Sequence, residues 1–131
     1  MNAQKYILLF AAIAGLLAVA LGAFGAHSRE PKLDAKSLAN YHTAVHYQFF
    51  HALAMLTVGI LLFQFPSKML VFSGYAFLLG IILFSGSLYL LATDEALGIT
   101  LPRFVVFLTP LGGLSFIVGW LFLILSIIRW K

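Results

Sequence analysis

Four long apolar runs leave this chain few ways to fold. They extend from Tyr6 to Ala26, Ala44 to Phe65, Met69 to Thr93 and Phe104 to Ile128. At about 1.5 Å per helical residue, each is long enough to cross a hydrocarbon core of about 30 Å. The expected fold is therefore all-α, an integral membrane up-and-down bundle of four helices. It forms a single domain over residues 1–131, with spans near 6–27, 38–65, 69–93 and 104–128. In such a bundle the loop holding Arg29 to Ser37 shares a face with the loop holding Asp94 to Arg103, and both termini lie on the other.

Composition agrees. A chain of 131 residues that is 63% hydrophobic and only 9% charged, with a mean hydropathy of +1.05, belongs to a bilayer rather than to a soluble core. The formal charge of +4 does not point to nucleic acid, because the basic residues stand singly at the ends of apolar runs, where they meet headgroups. Without cysteine, disulfides, thiolate catalysis and Cys-based metal centres are excluded. Lys5 followed by an apolar stretch and Ala23-Phe24-Gly25-Ala26 imitates a signal peptide. The run exceeds the usual h-region of roughly 7–15 residues, so it reads as a span.

Counting Lys and Arg does not orient the chain. Lys5, Lys68, Arg129 and Lys131 balance Arg29, Lys32, Lys36 and Arg103, while the acids Glu30, Asp34, Asp94 and Glu95 all fall on the second face. The terminal face is thus the more positive, which leans toward cytoplasmic termini.

Small residues recur at helical spacing. In the first span Ala14, Ala18, Gly22 and Ala26 form a ladder beside Gly15 and Gly25; Gly80 serves the third span, and Gly112, Gly113 and Gly119 the fourth. Such ladders let backbones approach closely, which is how helices associate where burial from water no longer drives packing. Pro31 is expected to stop the first helix and Ser37 to cap the second. Thr109-Pro110-Leu111-Gly112-Gly113 suggests local unwinding near the start of the fourth span.

The polar residues inside the runs are unevenly placed. His27, Tyr47, Gln48, His51, Ser85, Ser87, Tyr89, Thr109 and Ser115 fall in the half-bilayer nearest the first and third loops. His51 is the sharpest case, since an imidazole facing lipid is costly and normally turns into the bundle. Gln48 and Tyr47 flank it, and Ser85, Ser87, Thr109 and Ser115 lie at comparable depth on other helices. Ser85 is its first expected partner. His42 and His46 have the i, i+4 spacing of helical metal sites, but no carboxylate is near in sequence, and no metal is assigned. With no acid at membrane depth to orient a base and no nucleophile elbow, catalytic residues are not assigned either. Haem would need two inward histidines on facing helices, and only His51 lies deep enough, so no cofactor is expected.

Taken in order, Gly22-Ala23-Phe24-Gly25-Ala26-His27, Tyr47-Gln48-Phe49-Phe50-His51, Leu83-Phe84-Ser85-Gly86-Ser87-Leu88-Tyr89 and Thr109-Pro110-Leu111-Gly112-Gly113-Leu114-Ser115-Phe116 with Gly119-Trp120 resemble the YgdD-like family. These are small four-span bacterial inner-membrane proteins filed under a domain of unknown function (423), with relatives among eukaryotic small transmembrane proteins. The resemblance implies span count and location, not an activity. The expected role is non-catalytic: binding a partner subunit, a lipid or a small ligand in the polar half, alone, as a homo-oligomer or within a larger membrane complex. A small-solute permease or channel component is the alternative, and the dry Leu, Ile and Phe of the opposite half count against it.

Overall fold

The computed structural model describes residues 2–29 and 32–130. Helix α1 (Asn2–Phe24) ends in a π-helical turn, Gly25–Arg29; α2 covers Ala35–Gln64. The third span is built from α3 (Lys68–Gly80), a π-helical turn (Ile81–Ser85) and α4 (Gly86–Leu97), and the fourth is α5 (Val105–Ile128). Four helical segments, Ala3–His27, Ala35–Gln64, Lys68–Leu97 and Val105–Ile128, are long and apolar enough to cross a membrane. The all-α four-span fold is the one expected. The break expected at Pro31, the charge of Glu30 and that of Lys131 lie outside the described residues.

Local chemistry sets the element ends, with one correction. Helix α2 begins three residues before Leu38, because Asp34 rather than Ser37 is its N-cap: the Ser37 backbone N–H donates to Asp34 Oδ1 at 2.7 Å. An aspartate accepts from an orphan amide in the first turn, and Ser37 occupies the position that donates. That bond holds the Asp34 carboxyl below its ordinary value of 3.8. At the other end of α2, Phe65 is extended (φ −143°, ψ 103°), since a residue preceding proline is driven out of the α region. Ser67 then caps α3, its hydroxyl accepting from the Met69 N–H at 3.2 Å. Helix α4 stops at Gly98, the one described residue of positive φ (66°); the Ile99 N–H reaches back to the Asp94 carbonyl at 2.9 Å, the closure a left-handed glycine permits.

Helix α2 is central, packing on α1, α3 and α4, while α3 packs on α5 and also touches α1. The first and fourth spans are the least buried, so most of their surface faces lipid. Ile7, Met55, Val58, Leu70 and Phe77 form a fully buried core. Hydrogen bonds sew the helices together across it. Gln4 Nε2 donates to the Gly59 carbonyl at 3.1 Å, Tyr41 Oη to that of Leu21 at 2.7 Å, and Ser73 Oγ to that of Gly119 at 2.8 Å. Bonds of this kind contribute on average about 0.6 kcal/mol each in a bilayer.

The glycines of the ladders have different neighbours. A Cβ at Gly25 would strike the Tyr41 ring, at Gly80 the Phe116 ring, and at Gly119 the Phe77 ring at 2.6 Å. At Gly22 it would press Val45 Cγ1 at 3.3 Å, a side chain that can give. Gly112 is the extreme, because a Cβ there would run into the backbone nitrogen of Phe84. Helix α5 therefore crosses the π-helical turn of the third span backbone to backbone. Gly113 departs from the packing role expected of it: its nearest neighbour would be the Phe84 ring at 3.8 Å, an ordinary contact, and Gly15 has nothing within 4 Å.

The expected unwinding at Thr109–Gly113 does not occur. Helix α5 runs through Pro110 without interruption. The irregular backbone lies instead at Ile81–Ser85, on the helix opposite.

Candidate functional site: an aromatic groove floored by His51

His51 is near the midpoint of the 30-residue α2. Its position on the helix turns it toward α3 and α5, where it is 8% exposed. Four aromatic rings surround it, Trp120 edge-on at 6.2 Å among them. Phe116 of α5 stacks on the imidazole with centroids 3.6 Å apart and planes at 14°; Phe77 of α3 is tilted at 5.6 Å, and Tyr47, one turn back on α2, is stacked at 5.8 Å. Gly80 is what lets Phe116 reach this layer, and Gly119 does the same for Phe77.

Both ring nitrogens are engaged, and the partners dictate the tautomer. Nδ1 is 2.7 Å from the Tyr47 carbonyl oxygen. A carbonyl can only accept, so Nδ1 carries the proton. Nε2 is then an acceptor, and it receives the indole N–H of Trp120 at 3.3 Å. That is a long bond, but it is the acceptor the indole has at this depth, where neither water nor headgroup is at hand. The pair ties α2 to α5.

Ser85 is not the partner of His51. Its hydroxyl donates to the Ala44 carbonyl at 2.8 Å, about two turns of α2 nearer the first loop than His51. Gln48 also turns elsewhere. Its Nε2 donates to the Ala14 carbonyl at 2.9 Å and its Oε1 accepts from Tyr89 Oη at 2.8 Å, so one amide links three spans. Reversing the amide would set oxygen against oxygen at Ala14, which fixes its orientation. Ser87 donates to the Phe84 carbonyl at 3.0 Å and lies 2.6 Å from the Thr109 hydroxyl. With its own proton committed to the carbonyl, Ser87 must accept from Thr109, and the two close the polar edge of the π-helical turn. Ser115 donates to the Ala76 carbonyl at 2.7 Å. His27 is exposed at the end of the first span, and no hydrogen bond joins it to this set. The structure thus disperses the expected cluster: only Tyr47 stays with His51, through its ring and backbone carbonyl.

What the structure assembles in its place is a groove of about 660 Å³ between α2 and α5. Tyr47, His51, Phe84, Phe116 and Trp120 line it, with Gly113 and Pro110 on the α5 side. Tyr47 and Trp120 are 43% and 45% exposed, and Ile117 and Leu114 more so, so at this depth the groove opens sideways into hydrocarbon. Among the described residues no group of three His, Asp or Glu could hold a metal ion, and no buried polar side-chain atom lacks a hydrogen-bond partner. The sequence does hold a signal for Trp120: an indole N–H at mid-span must find an acceptor, and the His51 lone pair is the one suited to it.

The chain matches the family described as "Protein of unknown function (DUF423)" over residues 21–113. It is similar to the UPF0382 inner membrane protein YgdD of Escherichia coli, 39% identical over 128 residues that cover 98% of this chain and 93% of that protein. It is similar also to a UPF0382 membrane protein of Staphylococcus saprophyticus, 39% identical over 94% of this chain and 97% of that protein. With the UPF0382 membrane protein YwdK of Bacillus subtilis it shares 37% identity over 97% of this chain and 99% of that protein. No solved structure matches the chain.

Proposed function

This chain belongs to the DUF423 family of membrane proteins of unknown function, and we propose that it is a non-catalytic inner-membrane protein that binds a membrane-dissolved ligand in the His51 groove. The observation that carries the reading is the groove itself. Its volume of about 660 Å³ is that of a small-molecule site, its walls are aromatic and aliphatic, and its few polar groups are His51 at the floor with the Tyr47 phenol and the Trp120 indole beside it, the usual pattern of such sites. A ligand reaching it from the hydrocarbon would be largely apolar and would offer a flat or flexible surface to the rings of Tyr47, Phe84 and Phe116.

The bonding of His51 argues against catalysis. Its proton is held by the Tyr47 carbonyl and its lone pair by Trp120, with no carboxylate to orient it as a base, as a triad requires. Conduction is opposed by the core: Met55, Val58, Leu70 and Phe77 are fully buried in contact with one another's cluster, and the polar groups around them are spent on carbonyls.

Gly113→Leu tests the ligand. The new side chain would enter the groove without displacing backbone, since a Cβ at Gly113 makes only ordinary contact. Protein extracted gently from its own membrane should carry a small apolar molecule in the wild type, and the variant, equally folded, should lose most of it, as read by mass spectrometry of the intact complex. The same bound molecules in both would refute the site.

The orientation we assign is cytoplasmic termini: Lys5, Lys68 and Arg129 at the terminal face balance Lys32, Lys36 and Arg103 opposite, and Asp34, Asp94 and Glu95 beside the latter leave the terminal face the more positive. Single cysteines placed at Lys5 and at Glu95 in this cysteine-free chain should react from opposite sides, Glu95→Cys with an impermeant reagent added to intact cells. Labelling of Lys5→Cys under those conditions would reverse the assignment.

A further inference from the structure

At the face where the chain ends lie, the turn between α2 and α3 and the end of α5 enclose a hollow of about 390 Å³. Lys68 and Arg129 both line it, together with Ser67 and Trp130. The described acids are all at the far end of the bundle: Asp34 precedes α2, and Asp94 and Glu95 close α4. Among the described residues, therefore, no carboxylate on this face can neutralise either cation. Trp130 is held in place by the Phe65 ring, with centroids 4.0 Å apart, at the level where aromatic belts meet headgroups.

A second hollow, of about 480 Å³, adjoins the first and shares Pro66, Ser67 and Lys68 with it. Its remaining wall includes Leu62, Phe63 and Val71, which lead from the turn into the hydrocarbon. The first hollow holds both cations; its neighbour shares Lys68 and adds Gln4 beside an apolar wall of Leu62, Phe63 and Val71. We propose that together they seat an anionic phospholipid of the surrounding leaflet, its phosphate between Lys68 and Arg129 and a chain along Phe63 and Val71. Arginine presents paired donors to phosphate oxygens and lysine a mobile point charge, and the start of α3 directs the positive end of its peptide dipoles the same way. Inorganic phosphate would satisfy only the first hollow. This site stands apart from the mid-span His51 groove and does not depend on it.

The test uses delipidated protein in a non-ionic detergent. It is titrated with phosphatidylglycerol or phosphatidylcholine of matched chains, and bound lipid is counted by native mass spectrometry. Wild type should take up phosphatidylglycerol about thirtyfold more readily, the scale expected of two interfacial cations. Lys68→Gln with Arg129→Gln should bring the two lipids level, while Lys32→Gln with Arg103→Gln, at the opposite face, should leave the preference intact. The exchanged pair Lys68→Arg with Arg129→Lys should retain it. Equal uptake of both lipids by wild type would overturn the proposal, and so would a preference that survives in the folded Gln pair. Loss of the preference in millimolar inorganic phosphate would assign the site to free phosphate instead. Should the Gln pair fail to fold, the wild-type preference must still fall as salt is raised, and its persistence at high salt would count against the site.

Discussion

Gly112→Ala should cost this bundle about 3 kcal/mol, the upper end for overpacking a well-filled interior, whereas Gly113→Ala, one residue on, should gain about 0.5 kcal/mol from the better helix propensity of alanine. The two positions differ in what faces them. At Gly112 a methyl group meets the Phe84 backbone nitrogen, and a backbone cannot rotate aside as a side chain can. That nitrogen belongs to the π-helical turn Ile81–Ser85, so relief would require the turn to shift and to carry the Ser85 bond to Ala44 and the Ser87 bond to Phe84 with it. At Gly113 the same methyl group touches only the Phe84 ring at 3.8 Å. Unfolding in detergent by SDS titration measures both. Equal losses at the two positions would mean that α5 does not cross the third span where the close approach places it.

The spans were legible because lipid allows so few alternatives. Run length set their number, and the breaks between runs marked where they reverse. The rotation of each helix about its axis was not legible. Counting residues puts Ser85 within reach of His51's depth, but depth says nothing of direction, and the π-helical turn alters the helical period just before Ser85. The sequence gives little sign of that turn beyond Gly80 and Gly86 at its borders. Pro110, which does stand out, does not interrupt the helix: it lies in the second turn of α5, exposed, where a missing N–H is tolerated when neighbouring groups supply the lost bonds. Gln48, Ser85, Ser87, Thr109 and Ser115 of the expected site proved to be interhelical fastenings, each spent on a carbonyl or hydroxyl of another span, while His27 stands apart from them, exposed. The open groove was left to aromatic residues that composition cannot distinguish from lipid-facing ones.

His51→Ala should destabilise the protein by about 3 kcal/mol, the lower end for removing a buried ring from a packed interior, and His51→Phe by much less. Alanine removes the stack on Phe116, the contact with Phe77 and the acceptor for Trp120 together, leaving a void between α2, α3 and α5. Phenylalanine restores the ring and loses only the hydrogen bonds. Of these the interhelical one to Trp120 contributes about 0.6 kcal/mol by the average for bilayers and at most about 1.7. The difference between the two variants therefore separates packing from polarity. A third variant isolates the bond: in Trp120→Phe no indole N–H is left without an acceptor, so His51→Phe should cost less in that background than in wild type. Steric trapping in bicelles can measure all four members of the cycle. Additive losses for His51→Phe and Trp120→Phe would show that the 3.3 Å contact carries no energy, and that His51 is held at the groove floor by its neighbouring rings and the Tyr47 carbonyl alone.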